Sequence, residues 1–198
     1  MSAGLTFRET MHGPVALGAT DPEQGAQSAE AADLAVHCKI EIDDIDRFVD
    51  DREHTGAIEG TVEYGPFGGE LPVTRGIFNL FSPGERPGEK IMEYRLAFEH
   101  DGKPYFLAGS KHVHDDPGFD MWKDTTTLYT VVHEGSDETG PVAAAGVLGL
   151  GVEALTKMMT TMRPTGGGGI GSLSKFGKLF LGSLWETYGA HKIPGGAS

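Results

Sequence analysis

The apolar residues of the first 150 positions recur with a period of two, and this pattern constrains the fold most strongly. In residues 34–42, Leu34, Val36, Cys38, Ile40 and Ile42 alternate with polar or small neighbours, as in a strand with one buried face. Asp101-Gly102, between two alternating runs, is the strongest hairpin signal in the chain. The other candidate strands are 5–11, 57–64, 69–73, 76–81, 90–100, 104–114, 125–133 and 143–149.

This order of elements predicts a mainly β protein. No strand–helix–strand alternation occurs before residue 150, which argues against a parallel doubly wound sheet. We expect an antiparallel meander that closes into a barrel or a strongly curved sheet of the lipocalin or calycin type, followed by two C-terminal helices. A chain of 198 residues is long enough for one such domain.

The expected domain, residues 1–198, has a barrel body and a helical tail. The body covers residues 1–149 and includes an acidic segment without periodicity, 18–33, that we expect to be a mobile loop. Residues 43–50 suit one or two helical turns. The tail is expected to consist of a helix over 150–164, a glycine hinge at 165–169, an apolar helix over 170–189 and a disordered end at 190–198.

The two tail helices are predicted to bury different amounts of their surface. In the first helix, Val152, Leu155, Met159 and Met162 share one face, which we expect to point into the core. In the second helix, the polar residues cover a stripe of only about 80°, so its apolar side chains require a cover. We expect that helix to meet the open barrel end, a partner or a membrane surface. The contact residues would be Phe176, Phe180, Leu184 and Trp185.

The charge and the cysteine content exclude several classes of protein. The net charge of −13 argues against nonspecific nucleic-acid binding, which depends on Lys and Arg. Residues 1–149 carry −16 and residues 150–198 carry +3, so the tail is expected to lie on the acidic body or, as the alternative, to meet another anionic surface. Cys38 is the single cysteine, which excludes an intrachain disulfide. No apolar run of about 18 residues and no basic-then-apolar start occur, so we expect a cytoplasmic protein, with peripheral membrane contact as an alternative.

The densest polar stretch, residues 109–130, contains the candidates for chemistry. His112 and His114 share one strand face and are the metal candidates, but further ligands at usable spacing are not evident and we expect no metal. Motifs for a nucleophilic serine or a nucleotide cofactor are also missing, and we expect no cofactor. The acid/base candidates are Lys111, Asp116 and Tyr129. The residues expected to lock one barrel end structurally are Lys111, Asp115, Asp116, Asp120, Trp122 and Asp124.

Three segments of the chain carry a resemblance to a known family. They read LPVTRGIFNLF at 71–81, MEYRLAFEHDGKPYFLAGSKHVHDDPGFDMWKDTTTLYT at 92–130 and SKFGKLFLGSLWETYG at 174–189. Together they resemble the accessory β-domain of bacterial cholesterol-oxidase-like flavoenzymes of the glucose–methanol–choline group. The resemblance implies a compact β-rich unit and an association with sterol or alcohol oxidation. It does not imply flavin catalysis, because the flavin domain and its dinucleotide motif are missing.

These observations lead to three hypotheses for the function. The first is a noncatalytic binding module or accessory subunit for a sterol or other lipid-like molecule, which acts with an oxidoreductase. The second is a protein-interaction subunit, including a homo-oligomer, or a membrane-docking subunit that uses the last helix. The third is a small cofactor-independent cyclase or isomerase. The ligand pocket of the first hypothesis would be lined by Phe78, Leu80, Tyr94, Leu96, Phe98, Phe106 and Leu128.

Overall fold

Within the described residues nine strands form one sheet, and eight of them close into an antiparallel barrel, as the alternation predicts. The computed structural model describes residues 2–86, 89–113, 125–167 and 169–188, with residues 152, 155, 156 and 181–188 as backbone. Each strand from β1 to β8 pairs with the next along the chain, and β1 closes the barrel by pairing with β8. The strands are β1 (Ala3–Leu17), β2 (Ala32–Ile42), β3 (Thr55–Tyr64), β4 (Gly69–Pro83), β5 (Lys90–His100), β6 (Lys103–Val113), β7 (Thr127–Glu134), β8 (Val142–Gly149) and β9 (Arg163–Gly166).

The hairpin predicted at Asp101-Gly102 joins β5 to β6. His100 pairs with Lys103, which leaves a two-residue loop. Both loop residues have positive φ, 50° for Asp101 and 70° for Gly102. Two consecutive left-handed residues are the requirement of a type I′ turn, whose twist matches that of the flanking strands. The local sequence therefore sets the register of this pair.

Four helices are present in the described part of the chain, and two of them precede β3. They are α1 (Pro22–Gln27), α2 (Ile45–Asp50), α3 (Val152–Thr161) and α4 (Gly169–Tyr188). Helix α2 lies where a short helix was predicted, and the Asp44 carboxylate caps it by accepting from the N–H groups of Asp46 and Arg47. A 3-10 turn, Gly65–Phe67, precedes β4.

Three sequence-based predictions of local structure are wrong. The segment expected to be a mobile loop, 18–33, contains α1, which is capped by Asp21 and contacts β8. The two strands predicted at 69–73 and 76–81 are one strand, β4, whose pairing with β5 has two register irregularities. The first two residues of the predicted hinge at 165–169 belong to the sheet, because Thr165 pairs with Gly4 and Gly166 pairs with Ala3.

Helix α3 covers the part of β1 that lies between its pairings with β8 and β9. Strand β8 pairs with β1 from His12 onward, and β9 pairs with β1 up to Thr6. Between them, the backbone N–H of Arg8 donates to Thr161 Oγ1 over 2.9 Å. The predicted core face of this helix is wrong at Met159, which is 55% exposed, whereas Met158 is 5% exposed and belongs to the core.

The two barrel ends are closed by different elements. At one end Phe67 of the 3-10 turn packs against Tyr64, Phe98 and Tyr105. At the other end, called the mouth below, α4 contacts β1 and α2. The predicted tail at 190–198 lies outside the described residues. Within the described part of the chain, no helix is long and apolar enough to cross a membrane.

Candidate functional site

Three polar side chains meet inside the barrel and form what we call the interior cluster: Glu9, Tyr94 and Lys111. They project from β1, β5 and β6, and they are 6%, 1% and 1% exposed. Lys111 Nζ lies 3.3 Å from Tyr94 Oη, to which it donates. Oε1 of Glu9 is buried and accepts no hydrogen bond from the described residues. An ionised group is costly to bury unless it is paired, so the cluster requires an explanation.

The pKa values of these groups reflect their burial and one another. Desolvation lowers the pKa of Lys111, and attraction to Glu9 opposes that shift. The pKa of the Tyr94 phenol is raised well above its usual value by burial first, then by the charge of Glu9 and a hydrogen bond with that carboxylate. Burial and Glu9 also raise the pKa of Cys38, which pairs with Glu9 across β1 and β2. The thiol is therefore a protonated core group, as its inward position predicts.

A continuous row of aromatic rings connects the mouth to the interior cluster. Phe176 of α4 lies 5.6 Å from Phe7, measured between ring centroids, and Phe7 lies 6.3 Å from Phe78. Phe78 in turn lies 5.1 Å from Tyr94, whose hydroxyl meets Lys111. This row of packed side chains is thus apolar from α4 inward until it meets the charged and hydroxyl groups of the interior cluster.

Helix α4 covers the mouth with two of its predicted contact residues. Phe176 is 3% exposed and also packs against Phe48 of α2. Phe180 is partly buried and lies 5.7 Å from the ring of Phe81. An exposed ion pair, Lys175 with Asp46, joins α4 to α2. The other two predicted contacts, Leu184 and Trp185, lie outside the described side chains.

Most of the predicted pocket residues face inward, but they are packed in the core. Phe78, Leu80, Tyr94, Leu96, Phe98 and Leu128 all have at most 1% exposure and belong to one core cluster. The prediction is wrong for Phe106, because inward positions on β6 are odd-numbered and Phe106 faces out. It lines a surface cavity of about 510 Å³ with Arg75, Ile77 and Arg95.

The predicted acid/base set is not brought together. Lys111 points into the barrel, whereas Tyr129 lies at a half-buried outward position on β7, opposite Ser110. The third candidate, Asp116, lies outside the described residues. The same is true of Asp115, Asp120, Trp122 and Asp124 of the predicted structural lock. Lys111 is the one residue of that predicted lock that the structure describes, and its side chain belongs to the interior cluster.

The metal candidate His112 lies on the outer face of β6. Its Nδ1 is 3.1 Å from Oε1 of Glu89, and its Nε2 is 3.3 Å from Ser110 Oγ. His114 lies outside the described residues. Over the ranges that the structure covers, no group of three or more His, Cys, Asp or Glu side chains could hold a metal ion.

A second concave surface is an open cleft of about 900 Å³ between α3 and the outer face of β1–β3. Its lining combines basic and acidic side chains, among them Arg8, Lys39, Lys157, Glu59 and Glu153. Lys39 is already paired with Glu41 and Glu59. The cleft is therefore a mixed-charge surface groove, and the interior cluster is the more distinctive site.

Sequence reasoning did not identify Glu9, although a signal for it exists. On β1 the inward positions read Leu5, Phe7, Glu9 and Met11, and all four are buried. A carboxylate in such an apolar column is rare unless it is paired. The same test applied to β6 finds Lys111, which follows Tyr105, Leu107 and Gly109 in the inward column.

Comparison of the chain with protein-family models, with curated proteins and with solved structures finds no match.

Proposed function

We propose that this protein is a noncatalytic binding module for one apolar small molecule, a sterol or another lipid-like compound, which enters at the mouth. The observation that carries the proposal is the row of rings from Phe176 to Tyr94, which leads from α4 to the interior cluster. An apolar body would take the space of the α4 side chains, and its polar end would reach Lys111 once Phe7 and Phe78, which lie between the mouth and Tyr94, move aside. Ligand sites combine such apolar walls with a few polar groups.

In this proposal the helix α4 acts as a stopper that the ligand displaces. The barrel core is filled by side chains, so binding requires Phe176 and Phe180 to leave the mouth. Re-exposing two such rings costs about 3–6 kcal/mol, at about 1.5–3 kcal/mol each. The exposed Lys175–Asp46 pair adds at most about 1 kcal/mol. A ligand with an apolar surface similar to that of the two rings would offset this cost.

The first experiment identifies a ligand in the full-length protein. Organic extracts of purified protein are analysed by mass spectrometry, and the intact complex is weighed by native mass spectrometry. We expect one lipid-like molecule per chain. Recovery of no apolar compound, from protein isolated from its own host, would contradict the proposal.

A second experiment tests entry at the mouth with an apolar fluorescent probe. Phe176→Ala removes a side chain that occupies the mouth, and we expect the probe to bind at least about tenfold more tightly to this variant. Ile170→Ala is the matched control, because Ile170 lies on the same helix and is 84% exposed. Equal probe affinity for the wild type and the Phe176 variant would exclude entry at the mouth.

The proposal extends to an oxidoreductase partner and to a second use of α4. The resemblance to the accessory domain of flavoenzymes supports the partner. A displaced α4 would also offer Phe176 and Phe180 to a protein or membrane surface. Sedimentation with anionic lipid vesicles separates this from ligand binding, because vesicle docking would persist without a small molecule.

A cofactor-independent enzyme is the second candidate function. It is favoured by the convergence of a carboxylate, a phenol and an amine in the interior cluster, groups that can transfer protons. Tyr94 takes the place that sequence reasoning gave to Tyr129. The test is incubation of the extracted ligand with wild-type protein and with Lys111→Met. A new product formed by the wild type alone would favour the enzyme over the binding module.

A further inference from the structure

We infer that the bound molecule is an apolar alcohol whose hydroxyl group is held between Glu9 and Lys111. The inference rests on the proposed function and specifies the polar end of its ligand. Its starting point is Glu9 Oε1, a buried acceptor without a donor among the described residues. Glu9 is 94% buried, so bulk water does not supply that donor.

Although Tyr94 has a hydrogen bond with the Glu9 carboxylate, Oε1 of that carboxylate lacks a donor, while Lys111 has N–H groups beyond the one that donates to Tyr94. A buried acceptor that is left unsatisfied costs about 1–3 kcal/mol, and more when it is charged. Lys111 Nζ carries three N–H groups, and its hydrogen bond within the described part of the chain goes to Tyr94 Oη. A ligand group that donates to Glu9 and accepts from Lys111 would complete both.

Among the common polar ends of apolar molecules, a hydroxyl meets both conditions. A ketone or aldehyde oxygen accepts from Lys111 but donates nothing to Glu9. A carboxylate is repelled by Glu9, and an ammonium group is repelled by Lys111. A hydroxyl carries one donor and two acceptor lone pairs without a charge, so it fits a site whose own charges already balance.

The test compares ligands that differ only in their polar end. A medium-chain alcohol, the methyl ketone, the carboxylate and the alkane of the same length are titrated into full-length protein by calorimetry. We expect the alcohol to bind at least about tenfold more tightly than the ketone, because the ketone leaves Glu9 Oε1 without a donor. The carboxylate and the alkane are expected to bind more weakly than the ketone.

A matched pair of variants then assigns the preference to Glu9. Glu9→Gln can donate to a ketone through its amide, so we expect the ratio of alcohol to ketone affinity to fall to about threefold or less. Glu59→Gln is the control, because Glu59 lies on β3 with a side chain that is 64% exposed. The control is expected to keep the wild-type ratio.

A crystal structure of the wild-type protein with the alcohol gives a measurement that needs no variant. The hydroxyl oxygen is expected within about 2.6–3.2 Å of Glu9 Oε1. Equal affinity for alcohol and ketone, or a water molecule alone on Glu9 Oε1 in the complex, would overturn the inference and leave the proposed function standing. Failure of all four compounds and of every other apolar probe to bind would overturn both.

Discussion

Replacing Lys111 with methionine tests whether the interior cluster is one electrostatic unit. Lys111 is 1% exposed and Glu9 is 6% exposed, so the variant leaves a carboxylate in the barrel without its counter-charge. Removing one member of a buried pair costs about 3–5 kcal/mol. This is a large part of the ~5–15 kcal/mol that separates folded from unfolded domains. For a chain of this size we expect the Tm to fall by roughly 6–20 °C.

The double variant Lys111→Met/Glu9→Met separates the interaction energy between the two groups from the effect of losing each group alone. It removes both charges, so we expect it to be at least about 2 kcal/mol more stable than the sum of the two single losses implies. Recovery is expected to be incomplete because Tyr94 keeps a phenol that has lost its partners.

The assay is urea denaturation at pH 7, with the m-value checked for each variant. Lys157→Met, on the exposed side of α3, is the matched control and is expected within about 0.5 kcal/mol of the wild type. If the single losses of Lys111 and Glu9 add to the double loss within about 0.5 kcal/mol, the two groups act independently and the reasoning is refuted.

Three further predictions concern the mouth, the thiol and the barrel wall. Phe176→Ala should weaken the docking of α4 on the barrel by about 3–5 kcal/mol, which hydrogen exchange would detect as lost protection in that helix. The control Ile170→Ala should keep the protection. Unchanged protection in the Phe176 variant would contradict the packing. The Cys38 pKa is raised above its ordinary 9.0, so its contribution to stability is complete below about pH 9 and declines above it by about 1.4 kcal/mol per pH unit. Cys38→Ala should therefore show a flatter decline between pH 8 and 10 in urea titrations, and equal slopes would refute this. In Gly60→Ala the new Cβ would lie 1.8 Å from the His37 carbonyl oxygen at a φ of 149°, so urea denaturation should show a loss of at least about 1 kcal/mol in the free energy of unfolding. The new Cβ of Gly65→Ala meets open space, so this control should be as stable as the wild type. Equal stability of the two variants would contradict the prediction.

The strands could be predicted because their signals are local. A side chain on a strand faces the opposite side from its neighbour, so alternation such as Leu34 to Ile42 reveals both the element and its buried face. The boundaries were harder to predict because they depend on tertiary contacts. Residues 163–166 become a strand only because the edge of β1 beside them is free, and nothing within those four residues encodes that edge.

The inward direction of a residue was predictable where the strand register was clear. Phe106 shows the limit, since on β6 both Tyr105 and Phe106 are apolar and both are buried. The neighbouring strands decide which of the two side chains enters the core, and Phe106 instead lines an outer cavity together with Asp137 and Glu138.

By itself the sequence determined the period of the strands, the type I′ hairpin at Asp101-Gly102 and the inward column of each well-patterned strand, because these properties arise from residues close together in the chain. The tertiary structure alone decided that Glu9 and Lys111, 102 positions apart, share the barrel interior with Tyr94. It also decided that Phe176 packs on its own barrel. Such meetings depend on how a closed sheet sets the register and curvature of every strand, and no single segment carries that information.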